Sequence, residues 1–378
     1  VTRIGFTADL HVDEYGSRRD PATGLNARLV DYLETVRFVS TQALARGCDA
    51  LVIAGDFTER RHPAPWLVGT IQDALEECPP ELIIVRGNHD GEIAGASIVT
   101  VMGYGLNTRG WQNAFARPGV TWVKRTAIAA IPYLDRHWLR TQPGFEDVPE
   151  SQLFAALAEQ YMAIARGLYA EAYAKHPDPD GVVLVCHQTL AGAHLSASQQ
   201  AFLGDQQLVI DAADLGAIGF EGIVAGHLHR HQVLSTDPPI LYTGSVERVD
   251  FGEQDEVKGF VIAEVGPGRF EWEFVETPAR RYVTLTGTDP IPPTVNDAIV
   301  RGVDLDPAVD LIALREDLGR AGAFEVAELR HRPGDDDVAG GMSESLSAEE
   351  ALVAYFADDP EADALIERGR AILAEVGS

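Results

Sequence analysis

The sequence predicts an α/β protein: a core of two β-sheets packed as a sandwich and flanked by helices, then a small α+β capping domain and a helical C-terminal tail. Three observations predict it. The first half of the chain alternates strand and helix patterns. Its strands are short apolar runs that each stop at a Gly or Asp, as strands buried on both faces do. After Pro278 the long apolar runs give way to shorter, more polar elements. A chain of 378 residues also exceeds one small core, so two or three domains are expected.

In order, residues 3–8 read as a strand, 27–46 as a helix with apolar spacing, and 50–53 as a second strand. Residues 66–77 are helical again, and 81–85 form the next strand between Pro79-Pro80 and Gly87. A long helix over 150–175 precedes a strand at 182–186. The runs 217–225, 240–242, 260–265 and 270–276 alternate more like antiparallel strands, closing the sandwich near Thr277. The expected core is therefore residues 1–278. The cap, 279–334, carries strands at 282–285 and 323–330 and a helix within 307–319. Pro-Gly-Asp-Asp-Asp composition makes 335–343 a linker. In the tail, 344–378, a capping box of Ser347 and Glu350 opens a helix, and Pro360 separates it from the next. There Leu365, Ile366, Gly369, Ile372, Leu373 and Val376 share one helical face. That face either packs on its own domain or docks on a partner. The apolar residues Ile93, Ile98, Val99, Val101 and Met102 form either a dimer interface or a buried helix.

Composition bounds the function. An apolar fraction of 46% is ordinary for a globular protein, and no apolar run approaches a membrane span. The start reads as a strand and not as a signal peptide, so a cytoplasmic location is expected. Cys48, Cys78 and Cys186 form no Cys-x-x-Cys pair, which excludes a zinc ribbon or redox motif and leaves three small buried hydrophobes. A formal charge of −28 argues against DNA binding by this chain alone, because proteins that hold phosphate backbones usually carry a basic stripe. It does not argue against phosphate-ester hydrolysis once divalent cations are bound.

Five motifs each follow an apolar strand: Asp9-Leu10-His11, Gly55-Asp56, Gly87-Asn88-His89-Asp90, His187 and Gly226-His227-Leu228-His229. Ligands placed at the carboxyl ends of strands gather on one edge of a sheet. Asp-x-His and His-x-His spacings put both side chains on one face of an extended segment. Two Asp, one Asn and four His, without thiolate, suit Mn²⁺, Fe²⁺ or Zn²⁺ better than Cu(I) or an iron–sulfur cluster. Seven ligands exceed one tetrahedral site, whereas two ions about 3.5–4 Å apart, sharing a carboxylate, use them naturally.

These motifs resemble the calcineurin-like metallophosphoesterase superfamily over about residues 3–265. The resemblance implies that Asp9, His11, Asp56 and His229 hold one metal, and that Asp56 bridges to a second completed by Asn88, His187 and His227. It implies that His89 stabilises or protonates the leaving oxygen, with Asp90 orienting its ring. The chain is also similar to the Mre11/SbcD nuclease branch. That likeness lies in residues 6–11, in Gly226-His227-Leu228-His229-Arg230-His231-Gln232, in residues 242–253 and in Lys258-Gly259-Phe260. Such proteins dimerise, cut DNA ends with Mn²⁺ (Mg²⁺ also fits such sites) and pair with a coiled-coil ATPase of the Rad50/SbcC kind. A nucleoid-associated duplex-end exonuclease with single-strand and hairpin endonuclease action is therefore implied. The alternative is a phosphatase or phosphodiesterase for small molecules or phosphoproteins, which the acidic charge favours. Some members carry a His three residues after the bridging Asp; here that position is Glu59, with His62 further on. Candidate DNA contacts are Arg60, Arg61, His62, Arg280, Arg281, Arg330 and Arg332, each of which also reads as solvated surface.

Overall fold

Strands buried on both faces build the centre of the molecule. The computed structural model describes residues 1–93, 96–97, 114–202 and 208–333, with positions 366, 368 and 370. Its longer strands in the first part of the chain are β1 Thr2–Thr7, β2 Ala50–Ala54, β3 Glu81–Val85, β4 Ala114–Phe115, β5 Gly119–Val123 and β6 Thr126–Ile131. They continue as β7 Gly181–His187, β8 Gly222–Gly226, β9 Gln232–Thr236, β10 Pro239–Tyr242, β11 Gly259–Gly266 and β12 Arg269–Glu276. One six-stranded sheet has the order β12-β11-β1-β2-β3-β4, and the other β9-β10-β8-β7-β6-β5.

Side-chain alternation divides the apolar residues into three layers. Ile4, Phe6, Val52 and Ile83 meet Ile128, Val183, Val185 and Val224 between the sheets. On the outer face of the first sheet, Leu51, Ile53, Leu82 and Ile84 pack under the helices α1 (Ala27–Ala45) and α2 (Pro65–Ala74). On the outer face of the second, Val182, Leu184 and Cys186 pack under α3 (Leu153–Lys175). That helix buries Leu153, Leu157, Tyr161, Ala165, Leu168 and Ala172, a stripe at the three-to-four spacing of a helix face. Asn26 caps α1, its side chain accepting from the amides of Arg28 and Leu29 at 3.0 and 3.1 Å. The three cysteines are free and buried.

The alternation expected to give antiparallel strands over 217–225 and 240–242 gives parallel ones. β8 and β10 run parallel to each other, and β8 runs parallel to β7. Gly-Ile-Val-Ala-Gly is buried throughout, so its pattern carries no information on direction. The strand also starts later than expected, because Asp211 caps a short helix at Ala212–Gly216. The hairpin of β11 and β12 is antiparallel, as read. Strands β5, β6 and β9 escaped the sequence reading. β6, Thr-Ala-Ile-Ala-Ala-Ile, is rich in alanine and has no alternation, and β5 is half-buried.

The chain divides into two compact units, residues 1–283 with 294–299, and residues 284–293 with the chain from 300 onward. The second contains a three-stranded sheet of β13 (Tyr282–Gly287), β14 (Ile299–Leu305) and β15 (Glu325–His331), in that order. Its helix α4 (Leu311–Arg320) is capped by Asp310, and β14 was not expected. Ile98, Val99, Val101 and Met102, the linker and nearly all of the tail lie outside the described residues. Among the described residues, no helix is long and apolar enough to cross a membrane.

A buried charge network pins the segment after β10 to α1. Glu247 receives Arg28 Nη2 at 3.3 Å and Thr35 Oγ1 at 2.8 Å, and the amide of Arg280 donates to it at 3.2 Å. Arg28 and Glu247 are 2% and 1% exposed, so neither can turn to water. Glu247→Ala is expected to cost about 3–5 kcal/mol, because it strands most of a buried guanidinium. Urea denaturation reads this directly, and a loss under about 1 kcal/mol would mean the network contributes little.

Candidate metal centre

The parallel strands end on one edge, and the five motifs leave from that edge. Asp9 and His11 follow β1, Asp56 follows β2, and Asn88 to Asp90 follow β3. His187 ends β7 and His227 follows β8, so both sheets contribute. The loops are stitched by backbone bonds: Asp9 N to Gly55 O and His11 N to Asp56 O, both 3.0 Å. The chain is bent hard to achieve this. Asp9, His11, Asp56 and His227 have φ of 52°, 43°, 55° and 94°, a region L side chains seldom occupy. Two glycines explain why their motifs contain them. A Cβ on Gly55 would lie 2.2 Å from His187 Nδ1, and one on Gly87 would lie 2.1 Å from Asp56 Oδ1.

Asp9, His11 and His229 bring ligand atoms within 4.8 Å of one another, as do Asp56, His187 and His227. Asp56 and His11 also form such a group with His89. Asn88 Oδ1 lies 3.1 Å from His187 Nε2 and 2.8 Å from His227 Nδ1. Asp56 Oδ2 is 3.2 Å from His187 Nε2 and 3.8 Å from His11 Nε2. All seven side chains of the expected ligand set are thus brought together, with Asp56 between the two groups.

The imidazoles are oriented from behind. Nδ1 of His187 donates to Ala54 O at 2.6 Å, Nδ1 of His11 meets Glu59 Oε2 at 2.7 Å, and Nδ1 of His229 meets Glu253 Oε1 at 2.6 Å. Each partner fixes the ring and leaves Nε2 for a cation. His11 Nε2 is buried and has no hydrogen-bond partner, an orphan that a divalent ion would satisfy. The donor set therefore fits two divalent metals.

Glu59 and Glu253 were not given roles by sequence reading. Glu59 was marked only as occupying the place of a family histidine. It now touches both sides of the centre, its carboxylate on His11 and its carbonyl accepting from His89 Nδ1 at 2.8 Å. Glu253 is buried and is held in turn by Lys258 Nζ at 2.9 Å. The signal for it was Lys258 within the quoted Lys-Gly-Phe, but a partner 24 residues from His229 has no spacing rule.

The ring of His89 is held by Glu59, not by Asp90, which corrects the role expected for Asp90. The Asp90 carboxylate accepts from the amides of Asp56, Gly87 and Phe57 at 2.8, 2.8 and 2.9 Å. It is a buried acceptor that shapes two motif loops, a backbone role invisible in sequence.

Electrostatics follow burial and the central carboxylates. Burial pulls the His187 imidazole down, but the Asp56 carboxylate outweighs it and pushes the group up to about 9. Burial and the charge on His187 bring His227 down to about 3. Burial would raise Asp56, but His187 and His11 hold it well below the usual carboxylate range. Metal entry must therefore expel the proton of His187, which binds cations only when neutral. Apparent Mn²⁺ affinity should climb about tenfold per pH unit up to about pH 9 and then level off. Calorimetric titrations from pH 7 to 10 test this, and a flat affinity below pH 9 would contradict it.

The basic residues expected near DNA do not share one environment. Arg280 is clamped by both oxygens of Asp31 at 2.5 Å and by Asp297 at 2.6 Å, which removes it from the candidates. Arg281 Nη2 donates to Asn296 O, and Arg60 pairs with Asp13 at 2.7 Å. In the second unit Arg330 pairs with Glu328 at 3.5 Å, and Arg332 is exposed. Arg61 and His62 line a cleft beside the metal centre.

Known proteins share this pattern. SbcD, the smaller-lettered half of the nuclease SbcCD of Escherichia coli (strain K12), is 25% identical over 283 residues, 71% of this chain and 66% of that protein. DNA double-strand break repair protein Mre11 of Haloferax volcanii is 24% identical over 324 residues, 83% of this chain and 62% of that protein. The chain thus spans just under two thirds of these curated relatives. Among solved structures, a dimetal phosphatase from Danio rerio matches with a TM-score of 0.46 and 12% identity, over 73% of this chain and 96% of that one. The profile described as calcineurin-like phosphoesterase matches residues 2–231, and with the site formed by its motifs the chain belongs to that family of phosphoester hydrolases.

Proposed function

We propose that this protein is a two-metal DNA nuclease, working as a homodimer with a coiled-coil ATPase of the Rad50/SbcC kind in processing DNA ends at the nucleoid. The observation that carries the hydrolytic part is the gathering of seven oxygen and nitrogen donors around Asp56, with a ring nitrogen of His89 within 4.8 Å of donor atoms of His11 and Asp56. The similarity to SbcD and to Mre11 supports DNA as substrate and the ATPase as partner.

Asp9, His11, Asp56 and His229 would hold one ion, and Asp56, Asn88, His187 and His227 the other. Two divalent ions, Mn²⁺ by the mixed oxygen and nitrogen donors, supply Lewis acidity toward a phosphate and a nucleophile at neutral pH. Glu59, Ala54 and Glu253 keep three imidazoles aligned for them. His89 is 34% exposed and tied at Nδ1 to a carbonyl, so in its protonated form it has Nε2–H to give to a departing alkoxide.

The charge of −28 favours a second reading, hydrolysis of small phosphate esters or phosphoproteins. Mn²⁺-dependent turnover of a linear duplex, measured beside a small aryl phosphodiester across a salt series, separates the two. Duplex degradation that weakens steeply with salt supports the nuclease. Turnover of the small ester alone removes DNA as the unaided substrate.

A further inference from the structure

Beside the metal centre lies a cavity of about 940 Å³, ample for a nucleotide. Arg61, Arg86 and Arg117 line it, with His62, Trp138 and Asp90. In so acidic a chain these arginines are unusual, because among the described residues none of the three pairs with a carboxylate. Their neighbours are neutralised: Arg60 by Asp13, and Arg136 and Arg140 by Glu150. Arg86 Nη2 donates to Tyr133 O at 2.9 Å, yet its Nε is buried with no hydrogen-bond partner. Leaving a guanidinium N–H unpaired is costly, and a bound anion would relieve it. Asp90, the acid in the lining, spends its oxygens on three backbone amides.

The cavity joins the reaction centre directly. Arg61 Nε donates at 3.2 Å to the carbonyl of Asn88, a proposed metal ligand. Tyr133, whose carbonyl holds Arg86, places its ring 5.6 Å from that of His227. Cationic forks flanking an indole are the chemistry that holds an unpaired nucleotide, phosphate to guanidinium and base to aromatic face. A small ester would leave most of this space unused.

We propose that this cleft receives the nucleotide adjoining the scissile phosphate, so that the strand reaches the metal centre unpaired. The proposal rests on the nuclease reading above and adds to it where the strand lies. Arg117 is exposed, so its replacement carries little risk to folding.

The test compares wild type, Arg117→Ala, Arg117→Lys and Arg166→Ala, a control on the exposed face of α3, with Mn²⁺. Substrates are a single-stranded oligonucleotide and a small aryl phosphodiester. For Arg117→Ala the ratio of kcat/KM for oligonucleotide to that for the small ester should fall about tenfold. The salt slope on the oligonucleotide should flatten by about 0.7. Arg117→Lys should recover part of the loss, and Arg166→Ala should match wild type. An unchanged ratio in a wild type that does cut the oligonucleotide would overturn the cleft alone. A wild type that cuts only the small ester would overturn the nuclease reading with it. Competition by a phosphoserine peptide but not by an uncleavable oligonucleotide would assign the arginines to a phosphoprotein instead.

Discussion

Asp56→Asn is expected to lower kcat/KM for a phosphodiester by about a thousandfold or more while leaving the fold intact. The substitution keeps the shape and the oxygen that accepts from the His89 amide at 2.8 Å. What it removes is the negative charge between the two donor groups. That charge is the largest influence raising His187, and it is the one carboxylate within reach of both Nε2 of His187 at 3.2 Å and Nε2 of His11 at 3.8 Å. Without it, two cations at close range lose the shared anion that offsets their repulsion. Activity within about tenfold of wild type, in a variant of unchanged melting behaviour, would show that Asp56 does not bridge.

His89→Ala should behave differently: a loss of about a hundred- to ten-thousandfold in kcat with Mn²⁺ affinity nearly unchanged. His89 sits at the open side of the centre, 34% exposed, its ring 5.0 Å from that of His11. Its position depends on the Glu59 carbonyl, not on the donors that surround Asp56. The loss should also depend on the leaving group. A substrate with a good leaving group, such as an aryl phosphodiester, needs less proton assistance than an alkoxide of a sugar and should suffer less. Equal losses on both substrates would mean that His89 holds the phosphate instead of protonating the leaving oxygen.

The sequence disclosed the site more fully than the fold. Short motifs at strand ends announce themselves because glycine, aspartate and histidine interrupt apolar runs, and the same interruptions mark where the edge of each sheet lies. Strand direction was not legible, because β8 and β10 are buried on both faces and lose the alternation that separates one pairing from another. Edge strands β5 and β9 were missed for the opposite reason, being only partly buried. Within the site, side chains that ligate were readable from residue type. Those that orient them were not, since Ala54 O, Glu59 and Glu253 act through contacts 133, 48 and 24 residues distant in sequence. Asp90 shows the limit most clearly: an acidic residue next to a functional histidine invites pairing, yet its oxygens serve backbone amides.

The most direct test is Mn²⁺ stoichiometry of the wild-type chain by equilibrium dialysis, at a pH near 9 where His187 gives up its proton readily. Two ions per chain, with the second lost in Asp56→Asn, is the expected result. A single ion per chain, unaffected by that substitution, would contradict a two-metal centre built around Asp56.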